Sequence, residues 1–409
     1  MLKLLSIFLL LSIPLFGTDT LEVGKNHQLT SVQQAIKAAQ PGAIIRIWPG
    51  HYQEGQIVVD KPVFLLGHQY PVLEGSDGSG VLLVTSDSVY ISGLQIQNVA
   101  TSYTEDRAGI KLDNVKGCVV TNNKLLNCFF GIYLQKSTHC QISNNQVIGE
   151  AAQEMSSGNA IHLWYCKNVK IEQNLVSHHR DGLYLEFVDN SAIAGNTSSQ
   201  NLRYGLHFMF SNDNSYTGNR FETNGAGVAV MFSRNIKMTS NEFLNNWGTA
   251  SYGLLLKEIY GGEITNNLFA NNTTGIYAES ANRLKIHNND MKGNGWALKI
   301  LGSCMDNTFT GNNFFTNTFD LTTNSIEDHN TYVGNYWSSY TGYDLDHNGY
   351  GDIPHRPVTM YSYLVGRFDV SILLLRSLFI DILNFAEKVT PLFVPKSLVD
   401  PEPLMSPRI

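Results

Sequence analysis

The chain carries little charge for its length. Only 15% of its 409 residues are Asp, Glu, Lys or Arg, and the formal net charge is -7. A protein that holds nucleic acid needs a basic surface, and this composition does not supply one. We therefore exclude nucleic acid as a partner.

Cysteine is scarce as well. There are five cysteines, an odd number, namely Cys118, Cys128, Cys140, Cys166 and Cys304. Cys118 and Cys140 hold equivalent positions in successive copies of the repeat described below, so stacked strands would bring them within reach of a disulfide. The sequence leaves open whether they form a disulfide or a buried pair of thiols.

Long apolar runs are absent except near the N-terminus. Lys3 precedes an apolar run from Leu4 to Phe16 that Ser and Pro interrupt. Such a run is typical of a secretory signal and too short for a convincing membrane span. We predict that residues 1–17 are a signal peptide and that the protein is exported from the cytoplasm.

What the sequence has in abundance is a repeat of about 22 residues. It occurs nine times, opening each time on a small residue: Gly109, Gly131, Ala160, Gly182, Gly205, Gly227, Gly253, Gly275 and Ala297. In the first eight copies an Asn follows 14 positions after the opening residue: Asn123, Asn145, Asn174, Asn196, Asn219, Asn241, Asn267 and Asn289. In the ninth copy Asn313 stands at position 16. A unit this short cannot bury a face alone, so the copies must stack as a solenoid.

Each copy shows the alternation of a strand. Apolar residues stand at positions 1 and 3 after the opening residue, as in Ile110 and Leu112, and again near positions 9 and 11. Three short strands per copy predict an all-β, right-handed parallel β-helix over residues 18–340. The repeated Asn residues would form an internal ladder. An amphipathic helix over Ser31 to Gln40 would cap the open N-terminal end.

The outward positions 2 and 4 are unusual in the middle copies. His207 and Met209 lie on one strand, Met231 stacks over Met209 and Glu186 lies beneath it, while His162 occupies position 2 two copies earlier. Thioether and imidazole ligands together suit Cu(I). The alternative is a patch of Met and aromatic residues that docks another protein without any metal.

The longest interruption of the 22-residue period lies beside these outward His and Met residues, which we call the His/Met stripe. The step between Gly131 and Ala160 is 29 residues, so about seven residues are inserted near Gly149 to Gly158. Insertions in solenoids become loops and often lie on the working face. Met155 in this loop is therefore a further candidate copper ligand.

A second candidate metal site follows the repeats, within an Asp/Gly-rich turn region over residues 341–369. Its oxygen ligands alternate around a Gly, as in the first half of a calcium loop: Asp344, Asp346, Asn348 and Asp352. Position 12 of such a loop would be His355 rather than Glu, which argues against an EF-hand. A Ca²⁺-bound turn and a metal-free turn both remain open.

The C-terminal segment, residues 370–409, begins with an apolar stretch from Val370 to Val389 that charged residues interrupt. We predict an amphipathic helix with a broad apolar face. This face either packs on the end of the β-helix or docks on a membrane protein or the membrane surface.

Several runs together carry a resemblance to a known family. They are RYGLHFMFS (203–211), AGVAVMFSRNIKM (226–238), YGLLLKEI (252–259), NGWALKI (294–300), GNYWSSY (334–340) and LLLRSLFIDILNFAEKV (373–389). In these runs the chain resembles the NosD family, periplasmic accessory proteins of nitrous oxide reductase maturation.

The resemblance implies a β-helix of the carbohydrate-binding and sugar-hydrolase type that handles copper. It implies partnership with the ATPase and membrane subunits of an ABC transporter and with nitrous oxide reductase, and it allows a copper donor lipoprotein. It also implies a periplasmic protein held at the membrane through the transporter. The His/Met stripe itself comes from the spacing of residues and from no motif of the family.

The rival interpretation is a secreted protein that binds or modifies polysaccharide, as a lyase or epimerase. Proton abstraction beside a carboxylate needs a base and charge stabilisation close together. The carboxylates of the outward stripe are widely spaced: Asp113, Glu186 and Glu279. We therefore predict a non-enzymatic component that delivers copper or serves as a scaffold.

Overall fold

The computed structural model describes residues 19–325, 327–375, 377–389 and 398–408. The predicted signal peptide lies outside these residues. The described chain forms a right-handed parallel β-solenoid of about 14 turns, which confirms the predicted fold class. One turn of the solenoid is called a coil below.

The strands are short, and three of them generally make one coil. In chain order they are β1 (Thr20–Val23), β2 (Ile44–Ile47), β3 (His51–Glu54), β4 (Ile57–Val59), β5 (Phe64–Gly67), β6 (Val72–Gly75), β7 (Leu82–Val84), β8 (Tyr90–Ser92), β9 (Gln95–Val99), β10 (Ala108–Asp113), β11 (Val119–Thr121), β12 (Lys124–Cys128), β13 (Phe130–Gln135), β14 (Gln141–Ser143), β15 (Gln146–Ile148), β16 (Ile161–Trp164), β17 (Lys170–Glu172), β18 (Leu175–Ser177), β19 (Asp181–Glu186), β20 (Ala192–Ala194), β21 (Thr197–Ser199), β22 (Tyr204–Met209), β23 (Ser215–Thr217), β24 (Arg220–Glu222), β25 (Ala226–Met231), β26 (Arg234–Thr239), β27 (Glu242–Leu244), β28 (Tyr252–Lys257), β29 (Tyr260–Thr265), β30 (Leu268–Ala270), β31 (Thr274–Glu279), β32 (Asn282–His287), β33 (Asp290–Lys292), β34 (Trp296–Ile300), β35 (Met305–Thr310), β36 (Asn313–Phe315), β37 (Phe319–Thr322), β38 (His329–Val333) and β39 (Tyr336–Trp337).

The strands stack into three parallel sheets of 14, 13 and 12 strands. The 12-stranded sheet, called the site sheet below, runs from β4 to β37 and contains the strands that follow the opening residues. Equivalent residues of successive coils are partners, as Ile110 is of Ile132. A Cβ added at the opening residue Gly131 would lie 2.5 Å from the carbonyl oxygen of Ala160 in the next coil. This close approach explains why each copy opens on a small residue.

The inward positions 1 and 3 fill the core as predicted. Ile110, Leu112, Ile132 and Leu134 are all fully buried, and the same positions are buried up the stack. Burial of each such side chain contributes about 1.5–3 kcal/mol. Cys118 and Cys140 are buried in this core as free thiols within hydrogen-bonding reach of each other.

The predicted asparagine ladder is present. In each rung the backbone N–H and the side-chain Nδ2 donate to Oδ1 of the next Asn, as Asn196 does to Asn219 at 2.9 and 3.0 Å. One residue was misassigned, since the rung after Asn289 is Asn312 and not Asn313. Asn313 lies one residue later, in β36, and its side chain binds Asp290 instead.

A second ladder was not predicted. It follows the third strand in six successive coils and consists of Asn201, Asn224, Asn246, Asn272, Asn294 and Asn317. Like the first, it satisfies backbone groups that the bend removes from strand pairing.

Helix α1 (Val32–Ala38) covers the N-terminal end of the core with Val32, Ala35 and Ile36, as the sequence predicted. Its first turn is capped by a side chain from the solenoid. The carboxylate of Glu54 accepts hydrogen bonds from Ser31 Oγ and from the backbone N–H groups of Val32 and Gln33.

The C-terminal region differs from the prediction. Helix α2 (Met360–Arg367) lies inside the segment predicted as turns, a 3₁₀ helix spans Asp369–Leu374, and helix α3 (Leu378–Val389) begins later than predicted. Thr359 and Ser362 form a capping box that starts α2. Ser in place of the usual Glu or Gln hid this signal. Within the described residues, no helix is both long and apolar enough to span a lipid bilayer.

Candidate functional site

Five of the six predicted copper ligands lie on the outer face of the site sheet, where strands β13, β16, β19, β22 and β25 are neighbours. We call this surface the site face. Strand register aligns two columns of side chains along it. The first column is Tyr133, His162, Tyr184, His207 and Ala229, and the second is Gln135, Trp164, Glu186, Met209 and Met231.

The second column brings three candidate ligands together. Glu186, Met209 and Met231 are register partners on consecutive strands, and all three are partly exposed. The hydroxyl of Tyr184 lies 3.9 Å from Met209 Sδ. Two thioethers therefore stand side by side at a surface that solvent reaches.

His207 points to this face but is not the exposed residue that the alternation predicted. Only 5% of it is exposed, because the rings of Tyr184 and Tyr204 pack against it at centroid distances of 4.9 and 4.8 Å. Its Nε2 atom is buried and has no hydrogen-bond partner. Tyr204 precedes the opening residue of its coil, a position that the alternation did not place on the outer face.

A buried ion pair lies behind His207. Asp181 is fully buried, and its carboxylate accepts hydrogen bonds of 2.9 and 2.5 Å from Nε and Nη2 of Arg203. Burial alone would raise the pKa of Asp181, but the hydrogen bonds from Arg203 and the nearby imidazole of His207 hold that pKa below its usual range. His207 Nδ1 lies 3.5 Å from Arg203 Nη2 and 3.9 Å from Asp181 Oδ2. The Asp181–Arg203 pair therefore holds the Nδ1 edge of the His207 ring, and Nε2 lies on the ring edge that faces away from this pair.

His162 is separated from His207. Its ring packs between Tyr133 and Tyr184, each at a centroid distance of 4.7 Å, so Tyr184 stands between the two histidines. Burial, assisted by the charge of Arg180, lowers the pKa of His162 to about 3. The imidazole is therefore neutral at pH 7 and lies outside the Met209 cluster.

Met155 lies in the insertion loop and does not pack on the methionine pair. The loop contains a short 3₁₀ helix, Glu154–Ser156, and Thr101 Oγ1 donates a 2.9 Å hydrogen bond to the carbonyl of Ser156. Met155 is 88% exposed, so its thioether faces solvent. The role of Met155 as a ligand remains a prediction.

An aromatic ladder beside the methionines escaped the sequence analysis. Tyr165, Phe187, Phe210 and Phe232 stack at centroid distances of 4.5, 5.2 and 5.0 Å, each with a φ between 51° and 55°. The available signal was position 5 of four successive copies, which is aromatic every time. Tyr165 and Phe210 are 49% and 38% exposed. The ladder adds an apolar rim to the thioether column.

The donors on the site face fit a soft cation better than a hard one. His207 supplies an unpaired imidazole nitrogen, and Met209 and Met231 supply sulfur, which suits Cu(I). Among the described residues, no three or more His, Cys, Asp or Glu side chains are placed to hold a metal ion. A metal site here therefore depends on the methionine sulfurs.

The structure does not support the calcium interpretation. Asp344 accepts hydrogen bonds from the backbone N–H groups of Asn348 and Gly349 at 3.1 and 2.8 Å, and Asp352 accepts one from Leu345 at 2.7 Å. Asp346 accepts from the side chain and backbone of Asn348. These oxygens are engaged within the turn, as expected for a metal-free turn rich in Asp and Asn.

Solved structures with a similar fold include sugar-active enzymes. The catalytic unit of an α-1,3-glucanase from Streptomyces thermodiastaticus aligns with 80% of this chain and 70% of its own, at a TM-score of 0.64 and 15% identity. The A-module of a mannuronan C-5 epimerase from Azotobacter vinelandii aligns with 74% of this chain and 88% of its own, at 0.52 and 16%. At this identity the likeness shows the fold alone.

Sequence relatives and family models point to one family. A protein of Pseudomonas aeruginosa described as a probable ABC transporter binding protein NosD is 29% identical over 370 residues, covering 86% of each chain. A protein of Stutzerimonas stutzeri with the same description is 26% identical and covers 88% of this chain and 86% of its own. A model for a right-handed β-helix region matches residues 70–158, and one described as periplasmic copper-binding protein (NosD) matches residues 149–342, which include the site face from β16 onward. Over most of its length the chain is therefore similar to proteins of the NosD family.

Proposed function

We propose that this protein works in the periplasm as a copper-delivery or scaffold component in the assembly of the copper centres of nitrous oxide reductase, together with an ABC transporter. The description of the family as periplasmic and copper-binding supports this role, as do the names of the two relatives. The observation that carries the proposal is the pair Met209 and Met231 beside the unpaired Nε2 of His207.

This arrangement suits a cargo that must leave again. Met209 and Met231 are partly exposed, so a partner protein can reach a Cu(I) ion held by their sulfurs. Arg203 is neutralised by Asp181, which removes a nearby positive charge that would repel the ion. Glu186, the register partner of Met209, adds a negative charge at the edge of the site.

The polysaccharide-modifying alternative is less well supported by the same face. Asp181 is fully buried against Arg203, so it offers no free base to a substrate. His162 is half-buried and neutral at pH 7, and burial raises the pKa of Tyr184 to about 12. Groups that could act as acid or base are thus held by their neighbours instead of facing a groove.

We propose that helix α3 provides the contact with the membrane subunit of the transporter. Ile380 belongs to a buried cluster with Phe319 and Tyr361, which anchors one side of the helix to the end of the solenoid. The other side exposes Leu378, Ile382, and Phe385, at 74%, 59% and 71%. An apolar face of this kind is expected to be covered by a partner.

Charge placed on the exposed side of α3 tests this contact. The double variant Leu378→Glu with Phe385→Glu removes no buried contact, so it should fold normally and fail to co-purify with the transporter. Tyr103→Glu, a change at a residue that is 79% exposed outside α3, is the matched control and should co-purify. Undiminished co-purification of the double variant would assign α3 a role in capping the core only.

The proposed function is tested in cells that lack this protein. Nitrous oxide reductase purified from such cells should contain little copper, and the wild-type protein should restore it. The variant Met209→Leu with Met231→Leu keeps side-chain volume and should restore several-fold less copper. Met305→Leu, at a partly exposed residue outside the site face, is the control. Full copper loading by the double variant would contradict the proposal, and turnover of a uronate polymer by the purified protein would favour the enzyme.

A further inference from the structure

A second pair of soft donors lies beneath the insertion loop, apart from the methionines. A cavity of about 90 Å³ lies there, and its lining includes Cys128, His179 and residues 149–151 and 156–158. Neither Cys128 nor His179 entered the site predicted from the sequence. Both line the cavity where the insertion interrupts the solenoid.

The cavity occupies a missing rung of the second asparagine ladder. That ladder ends at Asn201, whose Oδ1 accepts a hydrogen bond from the backbone N–H of His179 in the preceding coil. Extending the register of β12, β15 and β18 by two residues places Cys128, Glu150 and His179 in one column. Glu150 is exposed, because the chain leaves the coil there to form the loop. The interior position between Cys128 and His179 is therefore left without a side chain.

His179 presents a free nitrogen to this gap. It is 2% exposed, and its Nε2 has no hydrogen-bond partner, so the hydrogen bond between its ring and the Gly158 backbone uses Nδ1. A Cβ added at Gly149 would lie 2.9 Å from Nε2, which shows that the ring leans toward the interrupted coil. Burial lowers the pKa of His179 to about 4, so the ring is neutral at pH 7. A backbone bond to one ring nitrogen is the usual support for a histidine that binds metal through the other.

Cys128 lines the same cavity two coils before His179. It is 5% exposed, and its thiol makes only weak contacts, at 3.5 Å to the carbonyl oxygen of Leu126 and 3.9 Å to that of Ile96. Burial raises the pKa of Cys128 to about 12, so the thiol is protonated when no metal is bound. A coordinated metal ion deprotonates a thiol outright.

We propose that Cys128 Sγ and His179 Nε2 form a two-coordinate site for a soft monovalent cation, Cu(I) or Ag(I). The two backbones are separated by two coil spacings, roughly 10 Å, and both residues line the cavity that lies between them. Binding forms a metal–sulfur bond and releases the thiol proton to solvent. The thiolate and the cation then carry no net charge together, which suits a buried site. This site goes beyond the proposed function and does not depend on the methionines.

The test uses two substitutions, each chosen to match the residue that a neighbouring coil has at the same position. The same column carries Val99 one coil before Cys128 and Asn201 one coil after His179. Cys128→Val and His179→Asn therefore introduce side chains that the fold already accommodates. Thermal unfolding of each variant checks that the solenoid is retained.

The full-length protein is titrated with Cu(I) without oxygen, and the metal is observed through its thiolate-to-Cu(I) ultraviolet absorption and by X-ray absorption. We expect one sulfur and one nitrogen neighbour at this site in the wild type. Cys128→Val should lose one equivalent of Cu(I) together with the absorption band, and His179→Asn should bind it at least ten-fold more weakly. Cys304→Ala, which removes a buried thiol outside the cavity, should behave as the wild type.

Wild-type stoichiometry and spectrum in Cys128→Val and His179→Asn would overturn the site. The variant Met209→Leu with Met231→Leu separates the two claims, because it should keep the thiolate band. If only the methionine variant loses copper, the cavity site is wrong and the proposed function stands. If only the cavity variants lose copper, the cavity site stands and the copper role of the site face fails.

Discussion

Single residues close the ends of this solenoid, and Asp400 is the clearest case. Its fully buried carboxylate takes the place of the next asparagine above Asn335. It accepts hydrogen bonds from the backbone N–H groups of Gly334 and Asn335, from Asn335 Nδ2 and from Trp337 Nε1, at 2.9 to 3.1 Å. The C-terminal segment thus ends the ladder with a carboxylate, which accepts hydrogen bonds from the last asparagine and has no N–H group that would need a further partner.

Asp400→Ala should lower the free energy of unfolding by about 3 kcal/mol, because it leaves several buried donors without an acceptor. Urea unfolding followed by circular dichroism measures the change. Glu402→Ala, at an exposed residue of the same segment, should change stability by less than about 0.5 kcal/mol. Equal stability of the two variants would show that Asp400 does not hold the end of the ladder.

His355 makes stability depend on pH. Its ring packs on Trp337 at 5.2 Å, and burial lowers its pKa from 6.5 to about 4, although Asp400 opposes this shift. The unfolded chain therefore binds a proton between pH 6.5 and 4 that the folded protein does not. The stability present above pH 6.5 should fall as the pH is lowered through this window.

Replacement by a ring that cannot titrate isolates this effect. Between pH 7 and pH 4 the wild type should lose roughly 1–2 kcal/mol more stability than His355→Phe, measured by urea unfolding at each pH. Parallel pH profiles for the two proteins would show that His355 is not neutral in the folded state.

At the scale of elements, the turns hold the sheets in register through their ladders. Asn219 in the middle of the first ladder donates to Ile193 O and Asn241 Oδ1, and its own Oδ1 accepts two bonds from Asn196. All of these atoms lie in buried surroundings. If an asparagine in the middle of the ladder is removed, water therefore cannot reach the groups that it was hydrogen-bonded to.

Asn219→Ala should cost roughly 3 kcal/mol of unfolding free energy, because donors and acceptors on both neighbouring coils lose their partners. Asn317→Ala, at the half-buried last rung of the second ladder, should cost about 1 kcal/mol since water can reach that end. Urea unfolding of both variants gives the comparison. A larger loss for Asn317→Ala would contradict the role assigned to the ladder interior.

The elements that sequence patterns predicted are those that repeat with constant spacing. The first ladder and the inward apolar positions recur in every copy, so alignment of the copies revealed them. The second ladder stands at position 19 in only part of the repeats, because His179 and the insertion interrupt it. Its regularity was hidden by the same insertion that creates the cavity.

The exposure of His207 was not predictable from alternation. It is covered by Tyr204 and by the ion pair of Asp181 with Arg203, which come from positions just before the opening residues. Strand alternation describes which face a side chain points to, but not what packs over it. Stacked aromatic residues at position 5 were missed for a related reason, since they lie in turns rather than strands.

The described chain is one continuous solenoid whose middle differs from its ends. The site face places Met209, Met231 and the aromatic ladder on adjacent coils, while α3 extends an apolar surface at the C-terminal end. A cargo site and a docking surface are thus carried by one scaffold. The account depends most on whether the methionines bind Cu(I).

The direct measurement is an anaerobic competition titration of the full-length protein against a chelator of known Cu(I) affinity. It is performed in the Cys128→Val background, so that the cavity beneath the loop does not contribute. Adding Met209→Leu and Met231→Leu should weaken Cu(I) binding at least ten-fold, whereas adding Met305→Leu should leave it unchanged. Equal Cu(I) affinity with and without the two methionine sulfurs would contradict the account.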